Sequence, residues 1–333
     1  MRNNMAPLVS ICIPTYNSAQ FIEETLETLL NQTYDNYEII IGDNASNDNT
    51  VDILSKVAAQ ESRVRYYSNE SNLGYAGNCN KLIQQAKGKY IGIYHADDLY
   101  DNDIIRQQVT LLTERDDLVG VFTQNSFIDE KSQPIKRPPP YGKKPDLVST
   151  YQQNDFVTAL LETNINPFFC PSSMIRTSAY QSANGYDENM KFIEDQDMWI
   201  RLMNFGSLAV INRSLVRYRI HPAQGSYVYV DPKRAKLSPM IEHLQAWLKS
   251  NNTATDYDAF YRPKINRLIA VDHIRVAFHM AKSGAPYLDF VERLRESKKS
   301  KSIGFGNPHL SKFALLQTLP SRLTYWLLRK KFK

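Results

Sequence analysis

Two pairs of neighbouring carboxylates could do chemistry in this chain. Asp97-Asp98 follows a short apolar run, and Glu194-Asp195 lies far downstream, so the two pairs can share a site only through the fold. Like charges a few ångströms apart repel unless a cation or donor groups relieve them, which makes Asp97-Asp98 a candidate divalent-ion site. With oxygen donors and no Cys or His cluster, Mg²⁺ or Mn²⁺ suits the pair better than zinc; such ions share their sites with a substrate's phosphates, so a phosphorylated substrate such as a nucleotide is implied. The structural alternative is a cap on the helix near Asp103. Glu194-Asp195 offers a general base able to take a proton from a hydroxyl nucleophile. Its alternative is an acidic helix N-terminus answering the helix dipole. His221 closes the run Arg217-Tyr218-Arg219-Ile220 and could ligate a metal or donate to a phosphate, although a lone histidine is more often structural. Arg217 and Arg219 share one strand face, or else a solvated edge.

The elements that must position these groups are legible in the hydrophobic spacing. Leu8–Ile13 reads as a strand buried on both faces, followed by a helix with Asn17 as N-cap and Ile22, Leu26, Leu29 and Leu30 on one face. Strands are expected at 38–41, 63–67, 89–94 and 119–122, with helices opening at Asn49 or Thr50, at Tyr75 and at Ile104. This alternation predicts βαβ units, a mainly parallel Rossmann-like sheet with flanking helices, and a ligand site beyond the carboxyl ends of the strands. The loops there are Pro14-Thr15-Tyr16-Asn17, Gly42-Asp43-Asn44-Ala45-Ser46 and His95-Ala96-Asp97-Asp98. Further on, a short helix is expected at 156–161, a strand at 172–176, a helix through Trp199 and two strands at 208–211 and 215–220. The Pro-rich basic stretch Lys136–Pro145 reads as a long loop, either a binding lid or a surface excursion. Beyond residue 228 the pattern turns helical, with segments at 239–248 and 265–280.

The 333 residues are 42% hydrophobic and 23% charged, with 13 Gly and 16 Pro, which excludes a disordered or collagen-like chain. The net charge of +5 divides unevenly. Residues 231–333 hold 20 Lys and Arg against 8 Asp and Glu, or +12, leaving −7 for residues 1–230. Cys12, Cys79 and Cys170 make no CxxC or zinc spacing, as expected in a reducing compartment. Neither a signal peptide nor a membrane span is expected. The reading is a cytoplasmic protein, peripheral at the inner face of the cell membrane if its tail attaches. The last segment, 316–333, sets Leu319, Leu323, Trp326, Leu327 and Leu328 among basic residues; such a helix either lies on an anionic membrane or packs as an ordinary C-terminal helix.

Taken in order, the elements resemble the family 2 inverting, nucleotide-sugar-dependent glycosyltransferases of GT-A fold. The resemblance is carried by Val9–Asn17, Glu38–Thr50, Asn72-Leu73-Gly74-Tyr75, Ala96-Asp97-Asp98, Glu194-Asp195 with Trp199 and Arg201-Leu202, and Tyr218–His221, and it spans residues 7–225. It implies a catalytic domain at 1–228, with a nucleotide-sugar half to about residue 125 and an acceptor half at 126–228, and a helical basic region at 229–333. It implies that Asp43 contacts the nucleotide base, Pro14, Thr15 and Tyr16 wall its pocket with Asn72 and Gly74 nearby, and Asp97 reaches the ribose. Asp98 would bind Mn²⁺ or Mg²⁺, with His221 as a second ligand. Asp195 would deprotonate the acceptor hydroxyl, with Glu194 beside it. UDP is the expected nucleotide, and a glycan or lipid-linked acceptor in bacterial-type surface polysaccharide synthesis the expected partner. The chain departs from the family pattern in having no Asp at position 96 and in placing Cys79 where many members carry Arg; Lys81 or the 136–144 loop could compensate. Rival readings are a non-catalytic sugar- or nucleotide-binding module and a nucleotidyltransferase. No RNA or DNA motif is present.

Overall fold

The computed structural model describes residues 6–136, 147–163, 166–224, 238–283 and 287–300. It divides into two compact units, one formed by residues up to Phe156 together with Asn166–His221, the other by Val157–Ile165 and residues from Pro222 onward.

The first unit is built on a sheet whose opening half follows the expected alternation. Strand β1 (Val9–Thr15) is buried along nearly its whole length. It pairs in parallel with β2 (Tyr37–Asp43) on one side and β4 (Tyr90–Ile93) on the other, and β2 pairs in parallel with β3 (Val64–Ser68). Helices α1 (Ile22–Leu30), α2 (Thr50–Gln60) and α3 (Gly74–Gln85) connect these strands. Because β2 and β4 flank β1, the chain reverses direction across the sheet at β1/β4, and a crevice opens beyond the strand ends there. Asn17 is not the N-cap of α1, whose first turn follows Phe21. It sits at φ 49°, and its Oδ1 accepts the Asn47 N–H at 2.9 Å, so it ties the loop after β1 to the loop after β2.

The second half of the sheet is mixed. After the two-residue β5 (Leu99–Tyr100) and α4 (Ile104–Glu114) come β6 (Leu118–Ile128), β7 (Pro134–Ile135), β8 (Val148–Tyr151) and α5 (Gln153–Thr163). Strand β9 (Ser173–Arg176) then runs antiparallel between β4 and β6. Helices α6 (Thr177–Ser182) and α7 (Glu194–Leu202) precede β10 (Ser207–Arg219). The two strands expected at 208–211 and 215–220 are thus one, running parallel to β6 and interrupted by bulges between Ile211 and Val216. The full order is β3-β2-β1-β4-β9-β6-β10-β5, with β7 on β6 and β8 on β10. The core beneath it gathers Ile11, Ile13, Leu26, Ile39, Ile41, Tyr94, Val121 and Met174.

The second unit is helical. Helix α8 (Pro239–Ser250) buries Ile241, Leu244 and Leu248; a short α9 (Ala254–Asp256) and a π turn lead into α10 (Arg262–Ser283), which packs on α11 (Tyr287–Ser300). Helix α11 has no counterpart in the sequence reading, because Phe290 and Leu294 are its only buried large apolar residues in a strongly charged segment. Ser297 ties it to α10 through a bond to the Ala270 carbonyl. No helix among the described residues is long and apolar enough to cross a membrane. The proposed amphipathic segment 316–333 and all of the Pro-rich loop beyond Lys136 up to residue 146 lie outside the described residues.

Candidate active site

The parallel register puts Pro14 opposite Gly42 and Thr15 opposite Asp43, so strand pairing brings side by side the residues expected to form the base pocket. Thr15 is buried, and Tyr16 is half exposed at the rim. Asp43 is 1% exposed; its Oδ2 accepts the Ser46 N–H at 3.2 Å, and its Oδ1 is buried without a hydrogen-bond partner. A buried acceptor left unmet costs about 1–3 kcal/mol, more if charged, which a ligand N–H can recover.

Behind this pocket lies a network of asparagines. Asn44 donates to Asn72 Oδ1 and the Gly74 carbonyl, and it accepts from Asn69 and the Leu73 N–H. Gly74 takes φ 75°, which a side chain would resist, and its N–H bonds Asn72 Oδ1. Asn78 reaches the Gly42 carbonyl at 2.7 Å; a Cβ on Gly42 would lie 2.6 Å from Asn78 Oδ1, so only glycine admits this contact. Lys81 is committed to the same network, donating to Asn69 Oδ1 at 2.7 Å over the Tyr67 ring. That engagement leaves the expected phosphate compensation by Lys81 without support.

Beyond β4 the two acidic neighbours part company. Asp97 Oδ2 lies 2.8 Å from His221 Nε2, with side-chain exposures of 23% and 9%. Asp98 is fully buried: its Oδ1 accepts the Arg219 main-chain N–H at 2.8 Å, and its Oδ2 has no partner. It does not cap α4, which begins after Asp103. One ligand atom each from His95, Asp97 and Asp98 lies within 4.8 Å of the others. At that separation two carboxylate charges repel by about 3 kcal/mol in a medium of effective dielectric about 20. Burial and then the Asp97 charge push the Asp98 carboxyl well above the usual range. Burial also opposes ionisation of Asp97, but the His221 hydrogen bond and the nearby imidazoles outweigh it and hold Asp97 below its ordinary value. The two carboxylates, one with an unmet buried oxygen, are the donors that fit Mn²⁺ or Mg²⁺, with the His95 imidazole beside them.

Arg219, read from the sequence as one of two arginines on a strand face, is fully buried while Arg217 is exposed. Its guanidinium donates to the Asp97 carbonyl, to the Asp129 carbonyl, to Ser132 Oγ and to Glu24 on α1, and it lies over the Phe21 ring, which also packs on His221. Glu24, Phe21 and Ser132 were not singled out by the sequence, since their partners lie far away along the chain. Only the position of Arg219, two residues before His221, offered a signal.

Glu194 and Asp195 open α7, half buried, with Asp197 in the same turn. Asp195 Oδ1 is out of solvent and has no hydrogen-bond partner. Burial raises the Asp195 carboxyl to about 7; a hydrogen bond from the Cys170 thiol opposes that rise and the Glu194 charge adds to it. Burial likewise raises Glu194. A carboxylate poised near neutrality with one oxygen open suits a general base.

This sheet, with acid groups at the carboxyl edge of β2, at the carboxyl edge of β4 and at the start of α7, defines a GT-A-type glycosyltransferase. The family model described as "Glycosyl transferase family 2" matches residues 10–182, and the chain belongs to that family. It is 28% identical over 218 residues to the putative teichuronic acid biosynthesis glycosyltransferase TuaG of Bacillus subtilis, covering 65% of this chain and 81% of the relative. Among solved structures it resembles S. aureus TarS 1–349 in complex with UDP-GlcNAc (TM-score 0.55, 14% identity, 88% of each chain). It also resembles the mannosyltransferase PcManGT of Pyrobaculum calidifontis in complex with GDP-Man and Mn²⁺ (TM-score 0.56, 18% identity, 99% of this chain and 85% of that one). At these identities the structural likeness speaks for the fold.

Proposed function

We propose that this glycosyltransferase is an inverting enzyme that moves a sugar from a UDP-sugar to a hydroxyl of a glycan or lipid-linked glycan in surface polysaccharide synthesis. The observation that carries the reading is Asp195, a half-buried carboxylate at the start of α7 with one oxygen unmet, which burial raises toward neutrality. Asp195 takes the proton of the acceptor hydroxyl as that oxygen bonds the anomeric carbon and the bond to the nucleoside diphosphate breaks; one attack from the opposite face inverts the centre. Glu194 lies beside it to orient the acceptor. At the donor end, Asp43 Oδ1 is the acceptor for the imide N–H of a uracil, in a pocket walled by Pro14, Thr15 and Tyr16 and backed by Asn72 and Gly74. TarS, in complex with UDP-GlcNAc, supports a UDP-sugar; TuaG supports a wall polysaccharide as product.

Burial favours one change from the sequence reading of the metal ligands. Asp98 is sealed and pinned to the β10 backbone, whereas Asp97 keeps 23% side-chain exposure and hydrogen-bonds the buried His221. Asp97, with His221 beside it, would hold the ion, and Asp98, whose Oδ2 is unmet, would either add a ligand oxygen from behind or fix their loop. A divalent ion held there supplies positive charge against the charge gathering on the departing diphosphate. The complex of PcManGT with Mn²⁺ supports such a group on this fold.

The deciding experiment is a thermal-shift and transfer screen of UDP-, dTDP- and GDP-sugars with Mn²⁺ or Mg²⁺. A UDP-sugar should raise Tm by mass action and release UDP on adding acceptor. Pyrophosphate release from a nucleoside triphosphate would point instead to a nucleotidyltransferase, and binding without turnover across the panel to a non-catalytic module. Attachment of residues 316–333 to an anionic membrane belongs to the same proposal; deleting them should abolish sedimentation with anionic vesicles.

A further inference from the structure

Arg219 closes β10 with its side chain out of solvent, and no step proposed above uses it. A buried guanidinium is destabilising unless its charge is offset and its donors are met. Here they are engaged by the loop that carries the acidic pair. Nε donates to the Asp97 carbonyl at 2.7 Å, while the main-chain N–H of the same residue donates to Asp98 Oδ1 at 2.8 Å. Thr25 on α1 holds the two flanking carbonyls, its Oγ1 lying 3.0 Å from that of Ala96 and 2.9 Å from that of Asp98. Three successive carbonyls, 96 to 98, are therefore gripped by α1 and Arg219 together.

The far side of the guanidinium is anchored in turn. One amino group donates to Glu24 Oε2 at 2.8 Å, and the other to Ser132 Oγ at 2.9 Å and the Asp129 carbonyl at 3.2 Å. Ser132, at φ 60° in the turn between β6 and β7, donates its hydroxyl to the Glu24 carboxylate, whose oxygens lie 2.7 and 2.9 Å away. The guanidinium carbon stands 4.7 Å from the centre of the Phe21 ring, and that ring lies 4.8 Å from the ring of His221. One side chain thus backs Asp97 through its carbonyl and His221 through Phe21, while its main chain holds Asp98. We infer that Arg219 is the positioning residue of the acidic loop, and that Glu24 is the anion that keeps the charge of Arg219 from opposing a cation bound there. Unpaired, a positive charge bonded to the Asp97 peptide would repel a divalent ion; paired with Glu24 it adds little net charge, and its planar fork fixes the loop.

This inference rests on Asp97 and His221 holding a divalent ion, and its test separates the two. Glu24→Gln, Ser132→Ala and Arg219→Lys are compared with wild type. Arg176→Lys is the control: Arg176 also gives its guanidinium to main-chain carbonyls, those of Leu118, Leu112 and Arg115, but it pairs with Tyr90 at the opposite end of β4. The full chain is read in two ways, by the Kd for Mn²⁺, alone and with UDP, from the EPR signal of the free ion, and by hydrogen exchange at residues 95–100. Arg219→Lys and Glu24→Gln should each raise the Kd about tenfold and speed exchange at 95–100, as removal of an outer-shell partner does. Ser132→Ala should act in the same direction by less. The double variant Glu24→Gln/Arg219→Lys should lose less than the product of the single losses, because both act through one guanidinium. Arg176→Lys should lower Tm and leave the Kd unchanged. A wild type that binds no Mn²⁺, while the variants still speed exchange at 95–100, removes the cation reading and leaves Arg219 as the residue that positions the loop. A Kd equal to wild type in Arg219→Lys and Glu24→Gln, unchanged exchange at 95–100, or an equal rise in Kd in Arg176→Lys overturns the inference. If Arg219→Lys fails to fold, Glu24→Gln decides, since that side chain is 43% exposed.

Discussion

The two halves of the sheet hold their functional groups by different means. In β3-β2-β1-β4, strands paired in parallel deliver Thr15 and Asp43 side by side, and asparagine bonds spanning 25 and 28 positions tie the loops behind them. In β9-β6-β10-β5, the groups are held by buried side chains reaching across the chain: Arg219 to Glu24 over 195 positions, and Asp98 to the Arg219 backbone over 121. The first half fixes its groups through strand register, with glycines at 42 and 74 and the asparagine network setting the loops behind it. The second depends on individual side chains that have no substitutes. On the function proposed above, the nucleotide pocket rests on the former and the placing of the ion on the latter.

The sharpest test of that contrast is Asp195→Asn, which should lower transfer by about 10²–10⁴-fold with donor KM nearly unchanged; comparable turnover would remove Asp195 from its role. Next comes the acidic pair. Asp97→Asn should weaken activation by Mn²⁺ by more than the roughly 10–100-fold typical of an outer-shell partner, and Asp98→Asn should fall within that range. Metal titrations of kcat/KM decide between them, and the reverse ranking would restore Asp98 as the ligand. On the donor side, Asp43→Ala should raise donor KM about tenfold with a smaller effect on kcat, as expected for loss of one charge-assisted hydrogen bond of roughly 1.5–3 kcal/mol. An equal loss in kcat would mean that the base pocket is coupled to the chemistry.

The smallest effect is on stability. Asp195 has a folded-state pKa of about 7, raised chiefly by burial. Between its unfolded value of about 4 and about 7 the folded chain holds a proton that the unfolded chain has released, so this group's contribution is present at low pH and lost as pH rises through that window. Tm measured from pH 4.5 to 8 should therefore fall less steeply in Asp195→Asn than in wild type.

The parallel half was legible because its strands are short apolar runs and its helices amphipathic, signals that depend only on neighbours in sequence. The loops at the strand ends followed, and with them Asp43, Asp97 and Asp98. Glu194 and Asp195 were recognisable only as an acidic pair, since the spacing of residues does not tell how far the start of α7 is buried. The acidic neighbours had no sequence signal to distinguish them: Asp97 faces His221 and Asp98 faces the Arg219 backbone only because β10 lies beside β5. Arg219 looked like a surface arginine because its anion, Glu24, lies on the first helix.

The irregular middle of β10 has a consequence for chain length. On one side of the bulges, Leu208–Ile211 pair with Gly120–Thr123; on the other, Val216–Arg219 pair with Asn125–Ile128. The extra residues between them act as a spacer that keeps the two stretches in separate frames. Losing one residue there would force one stretch to slip by a position, turning over every side chain in it. If the slip fell on the later stretch, Arg219 would turn outward and Tyr218 inward. Insertions and deletions in this short spacer should thus be far more damaging than substitutions at its exposed Arg213 and Ser214.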